Sequence, residues 1–269
     1  MEFRQNITFI GAGKMATAIV LGLLRNGCES KWIKAYDVSP QAAESFYQTT
    51  GIRPEKTMLQ ALDSAEIVLL AVKPQYAPAA LDEAKSSLNG KLLISIAAGL
   101  PISFLQEKTG IQRIVRVMPN TPALVGQGVS CYAPGEGVEK SDTDVVNQIF
   151  SAVGKAFQVG ENQLDAVTGL SGSGPAFVLE FIMALADGGV YEGLPRAAAL
   201  EMAAQTVLGT AELMLQEKQH PAELRDAVIS PGGTTARGVM ALEQGGFRGV
   251  TASAVLAAAE RSRELGKKL

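Results

Sequence analysis

The residues best suited to chemistry near the start of the chain are small ones. Ile10-Gly11-Ala12-Gly13-Lys14-Met15-Ala16 fits G-x-G-x-x-A, directly after an apolar run and at the opening of a helical stretch. In that setting Gly11 permits a tight turn, Gly13 leaves room for a pyrophosphate, and Ala16 keeps helix and strand close. The helix N-terminus, with Lys14 and Met15 in its first turn, offers free N–H groups and a positive dipole end to phosphates. This is dinucleotide-binding chemistry; the plainer alternative is a tight turn with no ligand. The pattern G-x-x-x-x-G-K-[ST] is absent from this turn, which excludes a P-loop there.

Asp37 closes the second apolar run, where an acid can bind a ribose 2′-hydroxyl and favour NAD over NADP. A water-exposed turn carboxylate is the other reading. No arginine follows immediately to hold a 2′-phosphate, although Ser39 can donate to one. Three more segments end strands: Ala71-Val72-Lys73-Pro74-Gln75, Ser95-Ile96-Ala97-Ala98-Gly99 and Met118-Pro119-Asn120-Thr121-Pro122. Ligands of open α/β sheets bind outside such strand ends. Small Ala97, Ala98 and Gly99 would let a flat nicotinamide ring lie against the backbone. Pro74 and Pro119 would stiffen the loops, and Asn120 and Thr121 could orient a ligand by hydrogen bonds. Lys73 reads as a solvated strand-end lysine or as electrostatic support. Each segment reads equally well as an ordinary turn.

These residues need a scaffold of alternating strands and helices. Ile7–Ile10 reads as a buried strand, Lys14 to Arg25 as a helix ended by Asn26-Gly27, and Trp32–Tyr36 as a second strand. Ser39-Pro40 opens the next helix with a cap and a first-turn proline. Glu66–Val72, Leu92–Ala97 and Ile114–Met118 are apolar runs of the kind buried on both faces of a parallel sheet, with Val129–Tyr132 and Ala156–Val159 weaker candidates. The order predicts a Rossmann-type, doubly wound parallel sheet over residues 1–160. Residues 161–269 read as all-helical, Ala-rich and strand-free. Phe177 to Val190 is apolar nearly all round, which suits the centre of a bundle or contact with another subunit.

Composition closes off other classes. Apolar residues make up 47% and charged ones 19%, enough for a large core, and the formal charge is −3. Without a broad basic field the sequence predicts no nucleic-acid partner. Lys267-Lys268 reads as a solvated helix end. Cys28 and Cys131 lack metal-ligand spacing and read as reduced thiols, and His220, the only histidine, supports neither a triad nor a zinc site. No metal is expected. The polar start from Met1 to Asn6 shows no signal peptide, and the longest apolar runs fall short of a membrane span; cytoplasm is the expectation, with no membrane partner.

Together the strand-end segments resemble the pyrroline-5-carboxylate reductase family. Leu170-Ser171-Gly172-Ser173-Gly174-Pro175-Ala176 is similar to that family's entry into its long dimerisation helix. His220 to Leu224, followed by Val228-Ile229-Ser230-Pro231-Gly232-Gly233-Thr234-Thr235, is similar to its signature. The match runs from Ile7 to about Phe247. It implies a Rossmann domain followed by an all-helical C-terminal dimerisation domain, and interlocked homodimers that assemble further into decamers of five dimers. It also implies reduction of (S)-1-pyrroline-5-carboxylate to L-proline, the last step of proline biosynthesis, with NADPH as cofactor and NADH as the second option. Ser230, Gly232, Gly233, Thr234, Thr235 and Asn120 become substrate contacts. Thr235 becomes the residue facing the ring nitrogen. A Gly-Gly turn before a helix suits a carboxylate cradle, although spacing alone favours a plain helix cap. The loop Tyr36-Asp37-Val38-Ser39-Pro40 departs from the family's Ser/Thr-rich or Arg-containing version, so Asp37 argues against strict NADPH preference.

Three other readings compete. A β-hydroxyacid dehydrogenase shares the plan but needs a lysine in the first long helix after its glycine turn, and Phe177 to Leu194 has none. Another imine reductase is the second. A non-catalytic NAD(P)-binding sensor is the third, and it has no need of the Ser-Pro-Gly-Gly-Thr-Thr stretch.

Overall fold

A computed structural model describes residues 4–266; the first three residues and the Lys267-Lys268 pair lie outside them. Seven strands form one sheet: β1 Ile7–Ile10, β2 Ile33–Tyr36, β3 Ile67–Leu70, β4 Leu92–Ser95, β5 Ile114–Met118, β6 Gly128–Pro134 and β7 Gly154–Gln158. Their order is β2-β1-β3-β4-β5-β6-β7. Six helices alternate with the first strands and with β6: α1 Lys14–Arg25, α2 Pro40–Thr50, α3 Met58–Leu62, α4 Ala77–Ala84, α5 Ile102–Thr109 and α6 Lys140–Ser151.

Helices cover the sheet on both faces, which is why the strands are apolar at nearly every position. Ile7 and Phe9 of β1 bury with Ile19 and Leu23 of α1 and with Ile149 and Phe150 of α6. The alternate face, with Ile10, Val68 and Leu70, buries with Leu81 of α4 and Leu105 of α5. Ser39 caps α2 by accepting from the Ala42 N–H at 3.3 Å, with Pro40 in the first turn as its sequence suggests.

Every strand pair is parallel except β5 with β6, where Met118 lies opposite Cys131, so β6 and β7 both run against β1 to β5. Only residues 119–127 join the two strands. That is too short for the crossover a parallel pair needs, so the chain makes a hairpin around a 3-10 turn, Thr121–Val125.

The described residues pack as two compact units: one runs to Ser173 and takes back the chain from Ala258, and the other is Gly174–Ala257. The segment from residue 161 to Ser173 packs with the first unit. Leu164 of α7, Leu164–Val167, buries with Cys131 and Ala133. Ser262 donates to Asp165 Oδ1 at 2.6 Å, which ties the end of the last helix to the first unit.

The rest of the chain is helical: α8 Gly174–Tyr191, α9 Arg196–Glu217, α10 Pro221–Val228, α11 Thr234–Gln244 and α12 Phe247–Gly266. Helices α8 and α9 meet through small side chains, Ala186 against Ala199 and Ala203. Phe181 and Phe247 stack with ring centroids 5.5 Å apart. Large apolar side chains on the same helices remain exposed, Leu179 at 59% and Met202 at 56%. Contrary to expectation, one helical run, Glu161–Tyr191, is long and apolar enough to cross a bilayer by length and composition. The joined length is what sequence reading missed, because α7, the turn after it and α8 continue one another.

Candidate active site

The chain winds from β1 to β2 on one side and then returns to place β3 on the other, so strand order reverses at β1. That reversal opens a crevice at the strands' carboxyl ends. The first glycine turn lies there. Gly11 has φ +101°, and an added Cβ would sit 2.7 Å from the Ala71 carbonyl oxygen and 2.9 Å from Val72 Cγ1. Glycine at this point is therefore required by the protein's own packing against Ala71 and Val72. Gly13 is different: its φ is −77°, and among the described residues no atom beyond its chain neighbours and own helix lies within 4 Å of a Cβ built on it. Open space over Gly13, at an N-terminus without a side-chain cap, fits a pyrophosphate. Lys14 is exposed, Met15 half-buried against the core and Ala16 buried, as close helix–strand packing requires.

Asp37 lies beside this turn. Its Oδ2 accepts the Ala12 N–H at 2.7 Å and its Oδ1 accepts the Ser39 N–H at 2.8 Å. The carboxylate thus fastens the glycine turn to the loop after β2, a role the sequence did not disclose. Gly11 N–H completes the seam by donating to the Tyr36 carbonyl at 2.8 Å.

A cavity of about 580 Å³ lies further along the strand ends, within the first unit. Pro74, Gln75, Ala98 and Gly99 line one side, so two of the three small-residue segments do meet. Ala97 is buried and Lys73 is exposed. Sequence reasoning missed the opposite wall, made by Thr168, Ser173, Arg261 and Leu265. Helical spacing carries no mark for Thr168 and Ser173, because Thr168 to Gly172 form a π-turn.

Asn120 is tied into the protein by both ends of its amide. It is 7% exposed, its Oδ1 accepts the Val129 N–H at 2.8 Å, and its Nδ2 donates to the Ser171 carbonyl at 3.1 Å. Both ends of the amide are engaged inside the protein, so its side chain acts on structure. Glu161 has a related part. Pro101 cannot cap α5 with its side chain, and Glu161 Oε1 does so by accepting the Ile102 N–H at 2.7 Å.

In the second unit Ser230-Pro231-Gly232-Gly233 turns into α11. Gly232 takes φ +72°, and the Gly233 N–H donates to the Ser230 carbonyl at 3.0 Å. Gly233 is the N-cap and brings no side chain to the first-turn N–H groups of α11, whose first turn also lacks an acid. Those donors are free to meet an anion. Thr234 is exposed and Thr235 half-buried. His220 caps α10 through Nδ1, which accepts the Ala222 N–H at 3.2 Å. Burial raises both cysteine pKa values, most simply for Cys131 and with help from the Glu29 charge for Cys28, so neither is a reactive thiolate.

Known proteins resemble the chain over almost its whole length. Residues 161–265 match the family described as pyrroline-5-carboxylate reductase dimerisation, and residues 6–99 that described as NADP oxidoreductase coenzyme F420-dependent. The chain is 45% identical to the pyrroline-5-carboxylate reductase of Arabidopsis thaliana, over 97% of this chain and 95% of that one. It is 46% identical to that of Methanosarcina acetivorans, over 98% and 99%. Among solved structures, a pyrroline-5-carboxylate reductase from Coxiella burnetii superposes with a TM-score of 0.92 at 36% identity, covering 97% of this chain and 98% of that one. A Plasmodium falciparum pyrroline carboxylate reductase with NADP bound gives 0.87 at 35%, covering 98% of each.

Proposed function

The chain belongs to the pyrroline-5-carboxylate reductase family, and from that membership we infer its reaction. It is an NAD(P)H-dependent oxidoreductase that reduces the C=N bond of (S)-1-pyrroline-5-carboxylate to give L-proline. NADPH is the cofactor, with NADH as an alternative donor, and the reduced nicotinamide supplies the hydride. Full-length identity of 45–46% to enzymes of this name carries the reading.

The chain's own residues are assigned roles as follows. Gly13 and the start of α1 receive the pyrophosphate, with Asp37 holding the turn that presents them. Pro74, Ala98 and Gly99 shape the cavity for the nicotinamide end. The N–H groups of Gly232 and Thr234 hold the substrate carboxylate, and the bond from the Gly233 N–H to the Ser230 carbonyl closes the turn that presents them. The Thr235 hydroxyl hydrogen-bonds the imine nitrogen. A protonated imine is already electrophilic, so the protein's main task is alignment, and little acid–base equipment is needed.

The helical domain is a dimerisation domain, which supports a homo-oligomer. The exposed apolar faces of α8 and α9 suit that use. We assign homodimers, five of them forming a decamer, and a cytoplasmic location without nucleic-acid or membrane partners, on the family resemblance and the composition.

The test is oxidation of NADPH and of NADH by the purified chain with racemic pyrroline-5-carboxylate. Turnover with proline as product is expected. No turnover with either cofactor overturns the reading.

A further inference from the structure

Between β7 and α8 the chain makes the π-turn Thr168–Gly172. Its closing bond runs from the Ser173 N–H to the Thr168 carbonyl at 2.8 Å, the i to i+5 spacing of such turns. The wider turn re-aims the side chains that follow it. Here it brings Thr168 and Ser173 onto the wall of the cavity whose other side is Pro74, Ala98 and Gly99. Thr168 Oγ1 donates back to the Leu164 carbonyl at 2.8 Å. The Ser173 hydroxyl has no hydrogen-bond partner among the described residues.

The turn is held in place by a buried amide. In a continuing α-helix the Ser171 carbonyl would accept from residue 175, which is Pro175 and has no N–H. Asn120 Nδ2 supplies the missing donor at 3.1 Å, while its Oδ1 stays fixed on the Val129 N–H. Gly172 lets the turn lie close to β5, since a Cβ there would come 2.7 Å from Met118 Cε.

We propose that Ser173 contacts the nicotinamide carboxamide of the bound dinucleotide, and that Asn120 is the positioning residue that places it through the Ser171 carbonyl. The topology directs the ligand there. With its pyrophosphate at Gly13 after β1 and its adenosine ribose toward the loop after β2, its other half must extend across the ends of β3 and β4. The cavity lies at those ends. A hydroxyl suits a carboxamide, because it can donate to the oxygen and accept from the nitrogen. The inference rests on the dinucleotide-binding reading above, which NADPH binding by the wild-type chain tests by itself.

The decisive experiment titrates the folded wild-type chain, Ser173→Ala, Asn120→Asp and the double variant with two ligands. One is NADPH. The other is 2′-phospho-ADP-ribose, which lacks the nicotinamide. Aspartate keeps an acceptor for the Val129 N–H and sets a carboxylate oxygen against the Ser171 carbonyl in place of the donor, so it repels what asparagine held. Each single variant is expected to bind NADPH about five- to twentyfold more weakly, the loss of one directed hydrogen bond. Affinity for the truncated ligand should stay unchanged. The double variant should be no weaker than Ser173→Ala alone, since the two residues act on one contact. Equal losses for both ligands, or full NADPH affinity in Ser173→Ala, overturn the contact. Additive losses in the double variant overturn the positioning role. Should Asn120→Asp fail to fold, Ser173→Ala with the two ligands still decides the contact.

Discussion

Asp37 Oδ2 accepts the Ala12 N–H at 2.7 Å, which joins the loop after β2 to the middle of the glycine turn. The same carboxylate holds Ser39 through its other oxygen. Asp37→Ser therefore does two things. It removes a negative charge near the expected 2′-phosphate, and it releases the turn. We expect kcat/KM to fall for both cofactors, with the NADPH to NADH ratio rising. Steady-state kinetics with each cofactor decide this. A rise in the ratio with no loss for NADH would show that the clamp is unimportant to binding.

The two glycines of the turn should fail differently. Gly13→Val has room within the protein and an ordinary φ, so thermal stability should hold while dinucleotide affinity falls. Gly11→Ala meets the Ala71 carbonyl at φ +101°. It should lose about 1–3 kcal/mol of stability, the cost of strained backbone with a close contact. Thermal melts beside NADPH titrations separate the pair, and a Gly13→Val chain that binds normally contradicts the assignment.

Thr235→Ala should lower kcat/KM for the imine by about ten- to a hundredfold, from roughly 1–3 kcal/mol of lost directed bonding. Dinucleotide affinity should barely change. Thr234→Ala keeps its backbone N–H and should do less to kcat. Equal losses in both variants would move the catalytic contact elsewhere.

Far from this chemistry, Arg113, the residue before β5, reaches to Asp142 in the first turn of α6, with contacts of 2.9 and 2.5 Å. The guanidinium holds the Asp142 carboxyl below the usual carboxylate range; burial opposes this, and the Glu139 N–H assists. A carboxyl with a depressed folded pKa stabilises above its unfolded value, near 3.9, and that stability disappears as pH falls through the folded one. Asp142→Asn should therefore cost about 1–2 kcal/mol near pH 7, modest because Arg113 is 42% exposed. The gap to wild type should begin to narrow below about pH 4 and close only below the folded pKa. Melts across that range check it, and a gap independent of pH would refute the ion-pair account.

The apolar faces of α8 and α9 predict an assembly that persists on dilution. Light scattering at low concentration should show a dimer or larger species. A stable, active monomer contradicts the prediction.

Much of this architecture was legible in the residues alone. Apolar runs marked the strands because helices cover both faces of the sheet, and Ser39-Pro40 marked the start of α2 because capping is local. Gly11 and Gly13 identified the dinucleotide turn, since backbone freedom and close approach demand glycine at fixed spacing. Ser230 to Thr235 was legible for the same reason: its turn chemistry is contained in six consecutive residues. The tertiary structure decided everything that depends on partners distant in sequence. Ala12 and Asp37 meet across 25 positions, and Asn120 and Ser171 across 51. Through those contacts Asp37 and Asn120 fasten the loops they belong to. Hydrogen-bond partners of that kind are set by which chain ends the sheet order brings together, and no local pattern records them.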